Sequence, residues 1–162
     1  MIRVIMSLLA LIHHASRPGE AGIGHIPGEE IYRDISLHQE AETVPGLLIF
    51  CFDADMIFPN ADYFVSEVNR FIASAEEPVL EVLVNAESIN TIDTTGADML
   101  VKLHDQLERQ EISLCLEHVK DPVRDILVRY GAEEAIGSEN IYESVVDGVQ
   151  DFTDGGRRMT YL

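Results

Sequence analysis

The stretch that decides the fold is Ile89-Asn90-Thr91-Ile92-Asp93-Thr94-Thr95-Gly96-Ala97-Asp98. The apolar run Val79 to Asn85 predicts a strand just before it, and the apolar spacing after it predicts an amphipathic helix. Two hydroxyl residues and a glycine therefore lie at the mouth of a helix. Because the first N–H groups of a helix are unpaired and carry a partial positive charge, this turn is suited to an anion, a phosphoryl group or a partner protein.

Strands and helices alternate at short spacing along the rest of the chain. Leu47 to Ala54 is a continuous apolar run, which is typical of a central strand buried on both faces. The pattern predicts an α/β fold with a mostly parallel central sheet of about four to five strands, flanked by about four helices. The other predicted strands are Gly22 to Ile26, Ile31 to Arg33 and Ile112 to Leu116, and the predicted helices begin at Pro59, Thr95, Pro122 and about Asn140.

The net charge is the most unusual property of the composition. The 162 residues include 11 lysines and arginines against 29 aspartates and glutamates, which gives a net charge of −18. A polyanionic surface repels nucleic-acid phosphates and anionic lipid headgroups, so the charge excludes a general nucleic-acid binder. The acidic residues are spread widely along the chain, as expected of a solvated surface.

The cysteines and histidines give no sign of a metal site. Cys51 and Cys115 lie in apolar strand-like runs and are expected to be buried and reduced. No Cys/His spacing fits a metal, no motif fits a serine or cysteine nucleophile, and no Gly-x-x-x-x-Gly-Lys loop is present. We therefore expect no catalytic residue, no metal and no cofactor. The histidines, expected on the surface or in loops, are His13, His14, His25, His38, His104 and His118.

The N-terminal segment is apolar but short. Val4 to Ile12 is interrupted only by Ser7 and falls well below the roughly 20 residues that a membrane span requires. Ile5, Leu8 and Leu9 share one face of a predicted helix. An apolar face of this kind tends to associate when it is exposed to water, so we expect the helix to pack against a larger apolar partner.

The turn Ile92-Asp93-Thr94-Thr95-Gly96 resembles the Asp-Ser/Thr-Ser/Thr-Gly signature of STAS domains, the sulfate-transporter and anti-sigma-factor-antagonist domains. An ordered set of other stretches resembles the STAS domains of SulP anion transporters, and together they cover nearly the whole chain. These stretches are Ser7 to Ile12 with Arg17-Pro18, Arg33 to Ile35, Val44 to Phe50, Phe52 to Ala54, Asn60 to Phe64, Pro122 to Leu127, Ile136-Gly137 and Ser144-Val145.

The resemblance implies a non-enzymatic domain at the cytoplasmic face of the inner (plasma) membrane, as part of an integral membrane protein. It would regulate and assemble a SulP-type secondary anion transporter for sulfate, bicarbonate or dicarboxylate. Its implied partners are the transmembrane domain of the same transporter, a second copy in a homodimer and a cytosolic regulatory protein. The implied boundaries are a juxtamembrane linker helix over 1–18, the STAS domain over 19–153 and a flexible C-terminal tail over 154–162. One departure, Ile57-Phe58-Pro59 where the family more often has Phe-Phe-Ala, puts partner specificity at that helix start in question.

Three roles are open for the regulatory turn formed by Asp93, Thr94, Thr95 and Gly96. In the first, Thr95 is the N-cap of the helix and Asp98 completes a Thr-x-x-Asp capping box. In the second, which the resemblance implies, Thr95 accepts a phosphoryl group as in the anti-sigma antagonists. In the third, the turn binds a nucleotide or anion weakly through Asp53, Thr94, Thr95, Gly96 and Ala97.

The acidic neighbours weigh against a bare phosphate. Asp93 and Asp98 flank Thr95, and each carboxylate offsets the helix dipole by an amount on the order of 1 kcal/mol. Asp53 and Asp55 follow one predicted strand and Asp93 follows another, so a cation site at that sheet edge is an alternative. The rival function is a free-standing anti-sigma-factor antagonist that is switched by phosphorylation at Thr95.

Overall fold

The computed structural model describes residues 4–7, 18–26, 32–38 and 40–155. Within these residues six strands form one sheet in the order β2-β1-β3-β4-β5-β6. Strands β3 to β6 are parallel to one another, whereas β1 is antiparallel to both β2 and β3. The strands are β1 (Gly19–His25), β2 (Tyr32–Asp34), β3 (Leu47–Asp53), β4 (Glu81–Asn85), β5 (Ser113–Glu117) and β6 (Ile141–Tyr142).

Helices connect the parallel strands, as the strand–helix alternation of the sequence predicts. One helix joins β3 to β4, one joins β4 to β5, and two join β5 to β6. Residues 4–7 are also helical. The helices after β3 are α1 (Ala61–Ser74), α2 (Thr94–Glu108), α3 (Asp121–Arg129), α4 (Ala132–Ile136) and α5 (Val145–Thr153), with a 3₁₀ turn at Ser138–Asn140 before β6.

The larger hydrophobic core lies between one face of the sheet and helices α1 to α4. Side chains alternate across a strand, so Phe50 and Phe52 of β3 both point to this face. Both rings meet Phe64 of α1 edge to face, at centroid distances of 5.6 and 5.1 Å. Helix α2 contributes its buried leucine stripe, Leu100, Leu103 and Leu107.

The opposite face of the sheet has a smaller core, to which α5 contributes Phe152. Leu83 of β4 points to this face, where a Cβ added at Gly148 of α5 would lie 2.7 Å from Leu83 Cδ2. The glycine thus permits the helix to sit close to the strand. Three polar residues lie side by side on this face near the carboxyl ends of the strands. They are Cys51 of β3, Asn85 of β4 and Glu117 of β5, which are in register.

The chain enters the sheet beside the carboxyl end of β3. Because β1 runs antiparallel to β3, its first residue Gly19 pairs with Asp53, the last residue of β3. The loop that follows Asp53 and the turn before α2 lie at this same edge, since both follow parallel strands. The entry point and the regulatory turn therefore share one edge of the sheet.

The structure confirms the predicted α/β fold with a mostly parallel sheet, although it has one strand more than the upper end of the predicted range. The prediction was wrong at the end of the chain, where the last helix begins at Val145 rather than near Asn140. Residues 138–142 instead form the 3₁₀ turn and β6, and α4 was also missed. Gly131 separates α3 from α4; it takes a left-handed conformation (φ 75°) and precedes α4 directly.

The predicted domain boundaries at residues 18 and 153 stay predictions. Residues 4–7 agree with the predicted helix over Val4 to Ile12, and the remainder of that helix lies outside the described residues. Val4, Ile5 and Met6 are exposed. Among the helices that the structure describes, none is long and apolar enough to cross a membrane.

Candidate regulatory site

Helix α2 begins at Thr94, and its N-cap is Asp93. The Asp93 backbone is extended (φ −98°, ψ −179°), as an N-cap requires. Asp93 Oδ1 accepts a hydrogen bond from the Gly96 N–H at 2.8 Å, and its carbonyl accepts one from the Ala97 N–H at 3.0 Å. One carboxylate oxygen thus satisfies an amide that the helix itself leaves unpaired.

The prediction that Thr95 caps this helix was wrong. Thr95 lies inside the first turn, one residue after the helix begins, so its backbone is already helical. The Thr95/Asp98 capping box is therefore not formed, and Asp98 is an exposed residue within the helix. Aspartate and threonine are both favourable N-cap residues. Asp93 and Thr95 are only two positions apart, so the sequence pattern does not show which of them is the cap.

The second oxygen of Asp93 joins the turn to the loop that follows β3. Asp93 Oδ2 accepts a hydrogen bond from the Phe58 N–H at 2.8 Å. The same loop meets the turn through its backbone, since Met56 and Ile92 form an isolated parallel bridge. The Met56 N–H donates to the Thr91 carbonyl at 3.0 Å, and the Asp93 N–H donates to the Met56 carbonyl at 3.2 Å.

Asp55 joins the same two loops a few residues earlier. Its Oδ1 accepts hydrogen bonds from the Asn90 and Thr91 N–H groups, both at 2.9 Å. Asp55 and Asp93 therefore join the same two loops, Asp55 through two amides of the opposite loop and Asp93 through one. Within the described residues, Asp53, Asp55 and Asp93 do not form a group of three carboxylates close enough to share a cation.

Gly96 is required by close packing of the turn against the neighbouring loop. A Cβ at this position would lie 2.5 Å from the Met56 carbonyl oxygen and 2.8 Å from Ile92 Cγ1. The first contact is with rigid backbone, so a larger residue would separate the two loops. The glycine of the signature is thus explained by the backbone approach rather than by a phosphate cradle.

The turn presents an apolar and a polar group side by side on the surface. Phe58 is 73% exposed, although its amide is bonded to the turn. Thr94 is exposed and Thr95 is half-buried. In the part of the chain that the structure describes, neither threonine hydroxyl has a hydrogen-bond partner. We call the surface formed by Phe58, Asp93, Thr94 and Thr95 the turn patch.

The charges around the turn patch are those of an acidic surface. The Asp93 carboxylate accepts two amide hydrogen bonds. Asp98 adds an exposed carboxylate one turn along α2, and Asp53 is exposed at the end of β3. The arrangement suits hydrogen-bond donors and cationic side chains better than a phosphate.

Sequence reasoning missed two residues that hold the site together. Asn60 Oδ1 accepts from the Ile57 N–H at 3.0 Å, and its side-chain amide donates to the Asp55 carbonyl at 2.8 Å. Lys120, just before α3, donates to the Glu87 carbonyl and to Asn90 Oδ1. Neither residue belongs to a periodic pattern, and only the three-dimensional contacts reveal them.

Comparison with known proteins identifies the family of the chain. A family model described as STAS domain matches residues 38–148. The chain is 27% identical over 160 residues to the probable sulfate transporter 3.4 of Arabidopsis thaliana, an alignment that covers 94% of this chain and 24% of the relative. It is 30% identical over 149 residues to a probable sulfate transporter of Mycobacterium tuberculosis, covering 92% of this chain and 27% of the relative.

Solved structures share the fold. The murine Solute Carrier 26 family member A9 anion transporter, in its inward-facing state, superposes with a TM-score of 0.83 at 17% identity over 94% of this chain and 25% of that chain. The unphosphorylated anti-sigma factor antagonist SpoIIAA superposes with a TM-score of 0.56 at 10% identity over 70% of this chain and 93% of that chain. The chain spans about a quarter of the length of the curated relatives that it matches.

Proposed function

The chain belongs to the STAS domain family, and on that premise we propose that it is the cytoplasmic regulatory and assembly domain of a SulP-type secondary anion transporter. The observation that carries the proposal is the extent of the alignments with sulfate transporters. They cover 92–94% of the chain, whereas the family model spans only residues 38–148. The likeness thus includes segments on both sides of the core domain, which a free-standing antagonist does not need.

The turn patch is the surface through which we expect the domain to regulate transport. Phe58 offers an apolar anchor, and the two threonine hydroxyls beside it are free to bond to a partner. Aromatic side chains surrounded by polar groups are typical anchors of protein interfaces. The partner is the transmembrane domain of the same transporter, with a second copy or a cytosolic regulatory protein as the further candidates.

Phosphorylation and nucleotide binding at the turn are secondary roles in this proposal. The exposed Thr94 hydroxyl is more accessible to a kinase than that of Thr95, the position implied by the anti-sigma antagonists. A phosphate on either residue would bring about −1.5 to −2 charges next to Asp93 and Asp98. Repulsion from these carboxylates would weaken any favourable contact with the helix N-terminus, so the modified turn would release a partner.

Anion uptake by the full-length gene product tests the proposal. Cells expressing it would be assayed with labelled sulfate, bicarbonate and dicarboxylate, alongside the variants Phe58→Asp and Val128→Asp. Both residues are exposed, and Val128 lies on α3, so it serves as the matched control. We expect Phe58→Asp to reduce uptake several-fold at equal surface expression and Val128→Asp to leave it unchanged.

Thermal unfolding of the 162-residue chain checks that both variants fold. Equal uptake in the two variants would contradict a regulatory role of the turn patch. A full-length gene product without membrane spans would contradict the transporter proposal itself. Stoichiometric phosphorylation of Thr95 by a serine kinase that then releases a bound partner would instead support the anti-sigma-antagonist function.

A further inference from the structure

A cluster of nitrogen and oxygen ligands lies near the C-terminal end of α2, away from the turn at its start. His104, Asp105 and Glu108 each place one ligand atom so that all three atoms lie within 4.8 Å of one another. His104 and Glu108 are four residues apart and so share one face of the helix. We propose that these three side chains form a binding site for a divalent transition-metal ion of the zinc class.

The histidine is the first reason for this assignment. The His104 side chain is 19% exposed, and its Nδ1 atom is buried without a hydrogen-bond partner. A buried polar atom that lacks a hydrogen-bond partner destabilises the folded state. A metal ion bound to the Nδ1 lone pair removes that penalty, and neutral imidazole is the commonest metal ligand in proteins.

The geometry of the pair is the second reason. His104 Nδ1 lies 3.5 Å from Asp105 Oδ1. Two ligands on a tetrahedral zinc ion are separated by about 3.4 Å when each metal–ligand distance is near 2.1 Å. The two atoms are therefore already spaced as ligands of one ion. Glu108 is exposed, so its carboxylate can turn toward the same ion, and a water completes the tetrahedron.

The electrostatics of the helix end is the third reason. Asp105 and Glu108 lie in the last turn of α2, where the partial negative charge of the helix disfavours carboxylates. The last turn itself contains no basic residue, and the first basic residue after it is the C-cap, Arg109. A divalent cation neutralises both carboxylates and the helix end together, in a chain whose net charge of −18 already attracts cations.

The donor set selects the metal. One imidazole with two carboxylates suits zinc, cobalt or nickel, whereas magnesium favours all-oxygen sites and retains its waters. Because two of the three residues are exposed, we expect a dissociation constant for zinc in the micromolar range, and no competition from millimolar magnesium. The site is distinct from the turn patch, so neither depends on the other.

Calorimetric titration of the 162-residue chain with zinc chloride, in the presence of magnesium, tests the site. We expect one zinc per chain at this site, with at least tenfold weaker binding in His104→Gln and several-fold weaker binding in Asp105→Asn and Glu108→Gln. His38→Gln is the matched control, because His38 Nδ1 pairs with Glu40 at 3.2 Å outside the cluster. Its zinc affinity should equal that of the unmodified chain.

Shifts of the His104 ring nitrogen resonances on zinc addition provide an independent measurement. If His104→Gln folds poorly, Glu108→Gln replaces it, since that residue is exposed on the helix surface. Equal zinc affinity in Glu108→Gln, Asp105→Asn and the unmodified chain would overturn the proposal. So would full displacement of zinc by magnesium, which would indicate only diffuse attraction to an acidic surface.

Discussion

Asp93 is the residue that organises the candidate regulatory site. Its two carboxylate oxygens perform different tasks, one capping α2 through Gly96 and the other holding the Phe58 amide. Its own backbone completes the contact with Met56. A change at this one side chain therefore affects the helix start and the neighbouring loop together.

The first prediction separates Asp93 from Thr95. Asp93→Ala should lower the free energy of unfolding by about 2–3 kcal/mol, because it removes an N-cap and a second charge-assisted hydrogen bond. Thr95→Ala should change it by less than about 0.5 kcal/mol, because Thr95 is not the cap. Urea unfolding of both variants measures the difference. A larger loss of stability in Thr95→Ala than in Asp93→Ala would contradict this prediction and would indicate that Thr95 is the cap.

Glu117 is the residue whose ionisation opposes folding. It is 1% exposed, and its Oε1 has no hydrogen-bond partner. Burial, with a smaller contribution from the Glu87 charge, raises the pKa of Glu117 to about 7. The folded state thus holds a proton that the unfolded state releases near the ordinary glutamate value. Between these two pKa values the unfolded state binds fewer protons, so the contribution of Glu117 to stability falls as pH rises.

The second prediction follows from this loss of stability with rising pH. Glu117→Gln should match the unmodified chain near pH 4.5 and exceed its stability at pH 8 by an amount on the order of 2–3 kcal/mol. Unfolding curves at a series of pH values measure the difference. Glu87→Gln, which alters the exposed neighbour, is the control and should produce a much smaller gain. A constant difference between Glu117→Gln and the unmodified chain across this pH range would contradict the assignment.

At the scale of elements, the two faces of the sheet are covered unequally. Among the described residues, helices α1 to α4 pack on one face, and α5 packs on the other. Helix α2 buries five residues, including its three core leucines, whereas α5 buries only Gly148 and Phe152. Local opening requires less free energy where fewer apolar groups are buried.

The third prediction is therefore that α5 opens before α2. Native-state hydrogen exchange should give opening free energies for the α5 amides at least about 2 kcal/mol below those of α2. Phe152→Ala should lower the α5 values further while changing the α2 values little. Equal protection of both helices, with equal loss in the variant, would show that the domain opens as one unit.

Element boundaries also show what the sequence could and could not reveal. The continuous apolar run of β3 and the helical apolar spacing of α2 are strong sequence signals, so both elements were predicted correctly. Helix α4 has five residues and β6 has two, which is too short for any periodicity to emerge. The hydrogen bonds of Asp55 and Lys120 join segments some 30 residues apart, and spacing along the chain does not encode such contacts.

At the scale of the whole molecule, the most unusual property is the excess of negative charge. The net charge is −18, and the described ion pairs of arginine side chains involve only Arg70 and Arg124. Most carboxylates therefore lack a cationic partner on this acidic surface. Repulsion among like charges destabilises the compact state. Salt weakens this repulsion, and at 0.1 M ionic strength it largely screens charges that are more than about 10 Å apart.

The fourth prediction is that added salt stabilises the domain. Raising sodium chloride from 20 to 500 mM should increase the melting temperature by roughly 2–4 °C, which corresponds to about 1 kcal/mol for a domain of this size. A variant with Glu76, Glu77, Glu134 and Glu139 changed to Gln should respond less, because these residues are exposed. Calorimetric scans of both proteins measure the effect, and a melting temperature that falls with salt would contradict it.

The position of the start of β1 also affects how tightly a partner must bind to the turn patch. Gly19 enters beside Asp53, at the sheet edge where the turn lies. A segment joined covalently upstream is thus held near the patch at a high effective concentration, which short linkers raise to the millimolar range. Contact in the intact protein then needs only weak intrinsic affinity. If the proposed contact exists, a partner domain supplied as a separate molecule should bind the turn patch more weakly than the same domain joined upstream of Gly19.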